Sequence, residues 1–445
     1  HSAMDTQNVK NTIFALASGS GKSGIAVFRI SGPSAQTAYQ ILSKKPTPKP
    51  RQVTKVRLYR PMSDEVLDDG LVIYFGAPAS FTGEDVIELH IHGGMAVIAG
   101  LSEALNSIND VRVADAGEFT RRAFDNGKFD LTAAEGLADL INAETLVQKR
   151  QAQRQLRGEL GEIYKEWRSR LIKATALFEA EIDFSDEDLP AGLTEEVSCE
   201  VFDINDEIIR HLDDKNQGEI VRNGFHIAII GPPNAGKSSV LNRLSNREAA
   251  IVSEKAGTTR DVIEVRLELD GYPIILADTA GLREVDDEIE SEGIRRAEER
   301  AIKADLKLAV FDGAFWPEMD RKTQTLVDDD TVVLINKSDL LKHTENNYPV
   351  VSSITGQGFD NLLNVLKTEV YKRCDVSASP ALTRTRHRTA LIECRTYLER
   401  FQAASETELK AEDLRMAARA LGQITGQVNV EEVLDVIFGE FCIGK

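Results

Sequence analysis

Residues 231–238 read GPPNAGKS and fit the phosphate-binding pattern G-x-x-x-x-G-K-[ST] at every position. The apolar run Phe225–Ile230 before them predicts a buried strand, and residues 239–244 after them predict the first turns of a helix. Glycines let successive backbone N–H groups point inward, and a helix N-terminus adds partial positive charge. We therefore expect Lys237 to reach the terminal phosphates of a nucleotide and the Ser238 hydroxyl to ligate Mg2+. A glycine-rich turn that binds nothing is disfavoured, because the spacing, the lysine and the serine occur together after a strand.

An aspartate at the end of a second apolar run extends this chemistry. Asp278-Thr279-Ala280-Gly281 follows residues 273–277, which predict another strand. A carboxylate at that position can hold Mg2+ through water, and the Gly281 N–H can contact the last phosphate.

The base is predicted by a third segment, Asn336-Lys337-Ser338-Asp339, which follows the apolar residues 331–335. The Asp339 carboxylate can accept hydrogen bonds from both the N1–H and the exocyclic amine of guanine, and adenine lacks that pair of donors. Ser352 and Ser353 would close over the base. The three segments in this order predict a guanine nucleotide site.

Residue 282 departs from the pattern that many GTPases follow. They keep a glutamine there to orient the attacking water, whereas this chain has Leu282, which can neither donate nor accept a hydrogen bond. Either hydrolysis is very slow, or another polar group takes over. Arg283 is adjacent and Glu290 lies shortly downstream, so both are candidates. The alternative is that the acids of this stretch form a solvated helix face.

Size and composition set the frame for these segments. A chain of 445 residues predicts two or three domains, and 42% hydrophobic with 28% charged residues is typical of a soluble protein. The apolar runs are strand-sized and no signal peptide is visible, so we expect no membrane span; residues 1–3, ahead of Met4, are interpreted as an expression remnant. Four widely separated cysteines suit the reducing cytoplasm.

The net charge of −19 argues against a protein that coats nucleic acid nonspecifically. It leaves room for a local basic face. Five arginines occur close together, and they face either a nucleic acid or simply solvent: Arg384, Arg386, Arg388, Arg395 and Arg400.

Short strand and helix patterns alternate before residue 125 and predict a compact α+β domain. Residues 19–23 read GSGKS, but the earlier glycine of the pattern is missing and a strand follows, so this segment is interpreted as a decoy. His90 and His92 alternate on one strand face with Glu88. They indicate either a metal site or, with no third ligand, ordinary polar strand residues.

Helical patterns dominate from residue 125 to about 220 and again after 371. Residues 132–135 read TAAE and predict a capping box that opens a helix. Residues 213–224 are polar and contain glycine, which predicts a hinge. We therefore predict four segments: an α+β domain (4–124), a helical domain in two parts (125–220 and 371–445), and a nucleotide domain (221–370) inserted between them.

Several segments together resemble the MnmE (TrmE) family of bacterial tRNA modification GTPases. They are the phosphate loop, Gly257-Thr258-Thr259-Arg260-Asp261, the 278–282 run and the terminal Cys442-Ile443-Gly444-Lys445. The likeness extends to residues 81–85, 117–119 and 130–131, so it covers essentially the whole chain. It implies an N-terminal α+β folate-binding domain, a helical domain and an inserted Ras-like P-loop GTPase domain.

The resemblance also implies cofactors and partners. The N-terminal domains would form a homodimer and bind 5-formyltetrahydrofolate or methylenetetrahydrofolate through Arg29, Glu88, Lys128 and Lys445. Family members act with MnmG, which uses FAD and NADH, in a heterotetramer. Together they add aminomethyl or carboxymethylaminomethyl groups to the wobble uridine of tRNA. Cys442 would lie near the folate and could be a nucleophile, a redox thiol or a packing residue.

For the nucleotide, the resemblance implies GTP hydrolysis activated by K+, which would supply the charge of an arginine finger. K+ ligands would be Asn234 and the 253–258 loop (Ser253, Lys255 and Thr258), Mg2+ ligands would be Ser238 and Thr259, and Glu290 would position water through a second water. By motif position GTP would contact Asn234, Ala235, Gly236, Lys237, Ser238, Ser239, Ser253, Gly257, Thr258, Thr259, Asp278, Thr279, Ala280, Gly281, Asn336, Lys337, Asp339, Ser352, Ser353 and Ile354.

A second hypothesis is a regulatory or ribosome-assembly GTPase, a binding switch without covalent chemistry. Its motivation is the same set of nucleotide motifs, which such proteins share. Many of them carry an RNA-binding KH module, but its G-x-x-G loop does not occur after residue 370.

Overall fold

The computed structural model describes residues 12–19, 21–183, 193–247, 264–278, 299–341, 347–374, 380–428, 431–439 and 441–444. Its backbone contacts divide the chain into two units. The first unit comprises His1–Ala138, Gln155–Arg170 and Ala418–Lys445, and the second comprises Asp139–Arg154 and Leu171–Ala417.

The first unit contains one mixed sheet. Its strands among the described residues are β1 (Thr12–Leu16), β2 (Ser23–Ser31), β3 (Thr54–Tyr59), β4 (Val66–Phe75), β5 (Val86–Gly93) and β6 (Val111–Val113). The spatial order is β3-β4-β5-β2-β1-β6, and every neighbouring pair is antiparallel except β1 with β6. The sheet brings the distant residues Arg29 and Glu88 into register as partners on β2 and β5.

Helices cover the sheet because residues alternate between its two faces. Phe14 and Phe28 join one core with the helices α1 (Ala35–Ser43) and α2 (Met95–Asn106). The neighbouring Ile13 and Ala15 point the other way and pack with Phe119 of α3 (Glu118–Asp125). Each fully buried phenylalanine contributes about 1.5–3 kcal/mol.

The second unit contains a sheet whose strands among the described residues are β7 (Phe225–Ile230), β8 (Glu264–Leu269), β9 (Tyr272–Asp278), β10 (Leu306–Asp312) and β11 (Thr331–Asn336). The order is β11-β10-β7-β9-β8, parallel throughout except between β8 and β9. Parallel strands with both faces covered read as nearly continuous apolar runs; β7 is interrupted only by His226, and β10 only by Lys307 before its terminal Asp312. The carboxyl ends of β7, β9, β10 and β11 therefore lie at one edge of the sheet.

The remaining helices follow in chain order: α4 (Leu131–Asn142), α5 (Leu146–Leu156), α6 (Glu159–Asp183), α7 (Leu193–Leu212), α8 (Gln217–Asn223), α9 (Lys237–Arg247), α10 (Arg321–Gln324), a 3-10 turn (Ser338–Leu340), α11 (Phe359–Cys374), α12 (Thr385–Ala403), α13 (Thr407–Thr425) and α14 (Glu431–Gly439). Residues 299–303 are also helical. Among the helices described, none is long and apolar enough to cross a membrane.

Two local predictions are wrong. The capping box at residues 132–135 does not open α4, because Asp130 caps it: Asp130 Oδ1 accepts from the Ala133 N–H at 3.0 Å and from the Thr132 hydroxyl at 2.7 Å. The predicted hinge at residues 213–224 contains the helix α8, whose Val221 is buried in the core of the nucleotide sheet.

Two arginines of the arginine-rich stretch fit neither predicted role, a solvated helix face or a nucleic acid surface. Arg384 lies 2.9 Å from Asp139, and Arg388 lies 2.7 Å from Asp214. Both guanidinium groups are largely buried, so they form internal ion pairs and contribute neither to a solvated face nor to a nucleic acid surface.

Candidate functional site

The phosphate loop leaves β7 at Gly231 and enters α9 at Lys237, as the pattern predicts. Two of its glycines are required by geometry. Gly231 and Gly236 have φ of 150° and 89°. A Cβ would lie 2.3 Å from the Val310 carbonyl oxygen at the first and 2.3 Å from Asn336 Nδ2 at the second. Only glycine lets the loop approach β10 and β11 so closely.

Lys237 and Ser238 sit at the start of α9. The Lys237 ammonium donates to the carbonyls of Gly231 and Pro232, both at 2.8 Å, so it lies along the inner side of the loop. Burial lowers the pKa of Lys237, and the carboxylates of Asp278 and Asp320 oppose that shift.

The Ser238 hydroxyl donates to Asp278 Oδ2 at 2.5 Å, and Asp278 is only 1% exposed at the end of β9. A hydroxyl and a carboxylate are oxygen donors of the kind that Mg2+ prefers. The two residues fit an Mg2+ site, and the sheet brings them together from segments 40 residues apart.

The base-recognition segment begins at the end of β11. Asn336 is buried; its Nδ2 donates to the Ala235 carbonyl at 2.9 Å, and its Oδ1 accepts from the N–H and the hydroxyl of Ser353. Asp339 lies exposed in the 3-10 turn, where Oδ1 accepts from the Ser352 hydroxyl at 3.0 Å. Asn336 therefore ties the phosphate loop to the serines that were predicted to close over a base, and the neighbouring Ile354 is exposed.

Lys337 adds a second link to the phosphate loop. Its ammonium donates to the Asn234 carbonyl at 2.8 Å and lies 2.6 Å from Asp312 Oδ2. Sequence reasoning missed Asp312 and also Asp320, which faces Lys237. A signal for Asp312 was present, since it follows an apolar run just as Asp278 and Asn336 do.

Other predicted nucleotide residues lie outside the described residues, and their roles stay predictions. They are Ser253, Lys255, Gly257, Thr258, Thr259, Thr279, Ala280, Gly281, Leu282, Arg283 and Glu290. Lys445 of the predicted folate set is also outside them.

A second polar group lies on the sheet of the first unit. The Arg29 guanidinium donates to Glu88 Oε1 at 2.9 and 3.0 Å, with both side chains four-fifths buried. Its charge also lies 5.4 Å from the centre of the Phe81 ring and 5.8 Å from that of Phe119. His90 Nε2 is 3.8 Å from Glu88 Oε2. This pair is a preorganised cation and anion framed by aromatic rings.

The two histidines of β5, for which the sequence left a metal site and ordinary polar strand residues as alternatives, and Lys128 have separate partners. His92 Nδ1 lies 2.9 Å from Asp68, so the two histidines of β5 face different carboxylates. Lys128 donates to the Pro78 carbonyl at 2.8 Å.

The C-terminal segment packs against the same sheet. Ile443 forms an antiparallel bridge with Ala116. Gly444 has φ of 99°, and a Cβ there would lie 2.2 Å from the Leu16 carbonyl oxygen. Leu16 belongs to β1, which pairs with the strand β2 that carries Arg29, so the exposed Cys442 lies on a segment held at the neighbouring strand β1.

Comparison with known proteins covers both units. Residues 12–128 match the family model described as GTP-binding protein TrmE N-terminus, and residues 131–442 match the model described as MnmE helical domain. A tRNA modification GTPase MnmE of Paramagnetospirillum magneticum is 54% identical over 98% of this chain and 100% of its own length. Proteins of the same name from Parvibaculum lavamentivorans and Rickettsia prowazekii are 51% and 46% identical, each over 98% of this chain and 100% of its own length. Among solved structures, the G domain of the T. maritima FeoB iron transporter covers 34% of this chain and 98% of its own at 22% identity, with a TM-score of 0.24, too low to support an argument.

Proposed function

Because the chain belongs to the MnmE family of tRNA modification GTPases, we propose that it adds aminomethyl or carboxymethylaminomethyl groups to C5 of the wobble uridine of tRNA. It is a GTP hydrolase that acts in tRNA modification. The one-carbon unit comes from a tetrahydrofolate, and a partner that uses FAD and NADH, MnmG, completes the reaction in a heterotetramer. The observation that carries the proposal is the presence, in one chain, of the phosphate and base segments and of the Arg29–Glu88 pair in a sheet against which the C-terminal segment also packs.

The proposed nucleotide chemistry starts from the loop. Backbone N–H groups of residues 234–239 and Lys237 hold the phosphates of GTP, and Asp339 accepts from guanine. Ser238, Thr259 and Asp278 would hold Mg2+, which when bound neutralises phosphate charge. The short Ser238–Asp278 contact supports this assignment, because both oxygens already face each other.

Many GTPases orient the attacking water with a glutamine at the position of Leu282, and we propose that residues around the phosphate loop take over in this chain. Asn234, together with Ser253, Lys255 and Thr258, would hold K+, which when bound supplies positive charge near the phosphates. Glu290 orients water, with Arg283 beside it. Support comes from the position of Asn234 in the phosphate loop, where its carbonyl accepts a hydrogen bond from the Lys337 ammonium at 2.8 Å.

The proposed folate site lies in the first unit. Arg29 and Glu88 present opposite charges between two aromatic rings, a setting suited to a flat, polar heterocycle. Lys128 and Lys445 would meet the folate's carboxylates. We also propose that the N-terminal domains form the homodimer and that the four-segment domain division holds, with the nucleotide domain inserted into the helical one.

Folate binding separates this function from a GTPase switch. Isothermal titration of 5-formyltetrahydrofolate into the full chain should show binding by the parent and none by Arg29→Ala. Arg57→Ala is the matched control, since Arg57 forms an exposed pair with Asp69 at 2.7 Å in the same sheet and should bind like the parent. Absence of binding by the parent, together with GTP-dependent co-sedimentation with ribosomes, would support the ribosome-assembly alternative instead.

A further inference from the structure

Three chain segments meet at the edge of the nucleotide sheet. β10 ends at Asp312 and β11 at Asn336, and these two residues are register partners. Lys337, the next residue, therefore emerges beside Asp312. Its ammonium is shared between Asp312 Oδ2 at 2.6 Å and the Asn234 carbonyl at 2.8 Å.

The Asp312 carboxylate is itself held in place. Its other oxygen accepts from the Ala314 N–H at 3.0 Å, and the Gly313 N–H donates to the Asn336 carbonyl at 2.8 Å. The Asp312 side chain is 13% exposed, against 30% for Lys337. An ion pair shielded from water in this way interacts more strongly than one on the surface.

Asn234, whose carbonyl accepts the hydrogen bond from Lys337, has an unusual backbone conformation. Asn234 has φ of 63° and Lys337 has φ of 60°, so both adopt the left-handed region without being glycine. Asparagine tolerates this region but does not require it. A cation on the Asn234 carbonyl favours the one loop conformation that presents that carbonyl to Lys337.

We propose that Asp312 is a positioning residue: through Lys337 it fixes the Asn234 carbonyl and thereby ties the guanine-recognition segment to the conformation of the phosphate loop. Nucleotide binding then depends on a carboxylate outside both motifs. The inference rests on the proposed function in one respect, since Asn234 is also the proposed K+ ligand. The competing explanation is an ion pair that only stabilises the sheet edge.

A double-mutant cycle tests whether Asp312 acts through Lys337. Asp312→Asn keeps the shape and an acceptor for Ala314 but removes the charge, so the Kd for fluorescent GDP should rise about tenfold, the loss typical of one charge-assisted hydrogen bond. The double variant Asp312→Asn/Lys337→Gln should bind as Lys337→Gln alone does, within about twofold. Asp312→Glu, which keeps the charge, should recover part of the affinity.

The matched control changes a carboxylate whose partner lies on the same strand, β10. Lys307 at the start of β10 pairs with Asp328 at 2.5 Å, far along the strand from the loop, so Asp328→Asn should leave GDP binding unchanged. A GDP Kd for Asp312→Asn within twofold of the parent, or losses that multiply in the double variant, would overturn the inference. Thermal unfolding midpoints of all variants identify any that fail to fold, and for such a case Asp312→Glu decides.

The K+ requirement of GTP hydrolysis is a second measurement. A purely structural Asp312–Lys337 ion pair would leave it unchanged when Asp312 is replaced. At saturating GTP, Asp312→Asn should need several-fold more K+ for half-maximal hydrolysis, and Asp328→Asn should not. An unchanged K+ requirement in Asp312→Asn counts against the inference. If the parent itself shows no K+ dependence, the proposed potassium role fails, and the GDP cycle alone decides the role of Asp312.

Discussion

We propose that the backbone carbonyl and the side chain of Asn234 have separate roles. Its carbonyl accepts from Lys337, and its side chain is free of that bond to serve a ligand. Since Leu282 offers no polar group to orient water, we propose that Glu290 does so, while a K+ held by the loop supplies positive charge near the phosphates.

GTP hydrolysis by the parent should therefore run about tenfold or more faster in K+ than in Na+. Asn234→Ala should abolish that difference while Mg2+ dependence persists. Phosphate release measured at saturating GTP in each salt checks this. Equal rates for the parent in both salts would contradict the potassium assignment.

A partly buried histidine, His211, links stability to pH. Burial lowers the pKa of His211 from 6.5 to about 4, with Asp214 opposing the shift and His387 and Arg388 adding to it. Between those pH values the unfolded chain binds more protons than the folded one, so stability is full above pH 6.5 and falls as pH drops towards 4.

His211→Gln should remove this contribution and reduce the loss of unfolding free energy between pH 7 and pH 4.5 by about 2 kcal/mol. Urea unfolding of the parent and the variant at the two pH values measures it. The same acid-induced loss in both proteins would show that other groups, such as paired carboxylates, account for it.

The start of the helix α4 depends on a contact with another helix as well as on the local sequence. Thr132 and Glu135 match the capping-box pattern, yet Asp130 lies two residues earlier and its carboxylate takes the Ala133 N–H. The same carboxylate lies 2.9 Å from Lys165 of α6. The contact with a second helix favours the start capped by Asp130 over the start that the capping-box pattern predicts.

Asp130→Ala should lower the free energy of unfolding by about 1–2 kcal/mol, because it removes a working cap. Ser34→Ala is the matched control: Ser34 stands at the N-cap of α1 but makes no side-chain cap bond, so its loss should cost little. Denaturant unfolding compares the two. Equal losses would mean that position alone, rather than the hydrogen bond, sets the cost.

Local patterns predicted the elements that carry chemistry and not the contacts between them. β7, the loop and α9 were predictable, since an apolar run, glycines and a lysine stand in one stretch of sequence. The Asp312–Lys337–Asn234 contacts join residues 25 and 103 positions apart, and the pairing of β10 with both β11 and β7 brings them together. Arg29 and Glu88 meet for the same reason, 59 positions apart on paired strands.

The net charge of the whole chain bears on how it recognises tRNA. A net charge of −19 argues against RNA binding through a general basic surface, and two of the clustered arginines, Arg384 and Arg388, form internal ion pairs. We expect tRNA recognition to depend on defined contacts and on the partner. The nucleotide site and the Arg29–Glu88 pair lie in different units of the chain.

The most direct test of this account asks whether the nucleotide site serves tRNA modification in cells. Mass spectrometry of tRNA nucleosides should find (carboxymethyl)aminomethyl uridines in cells with the parent gene and none in cells that lack it or carry Lys237→Ala. Lys372→Ala, which changes an exposed lysine of α11 paired with Glu369, should leave them at the parent level. Normal amounts of these nucleosides in the deletion strain or in the Lys237→Ala strain would contradict the account.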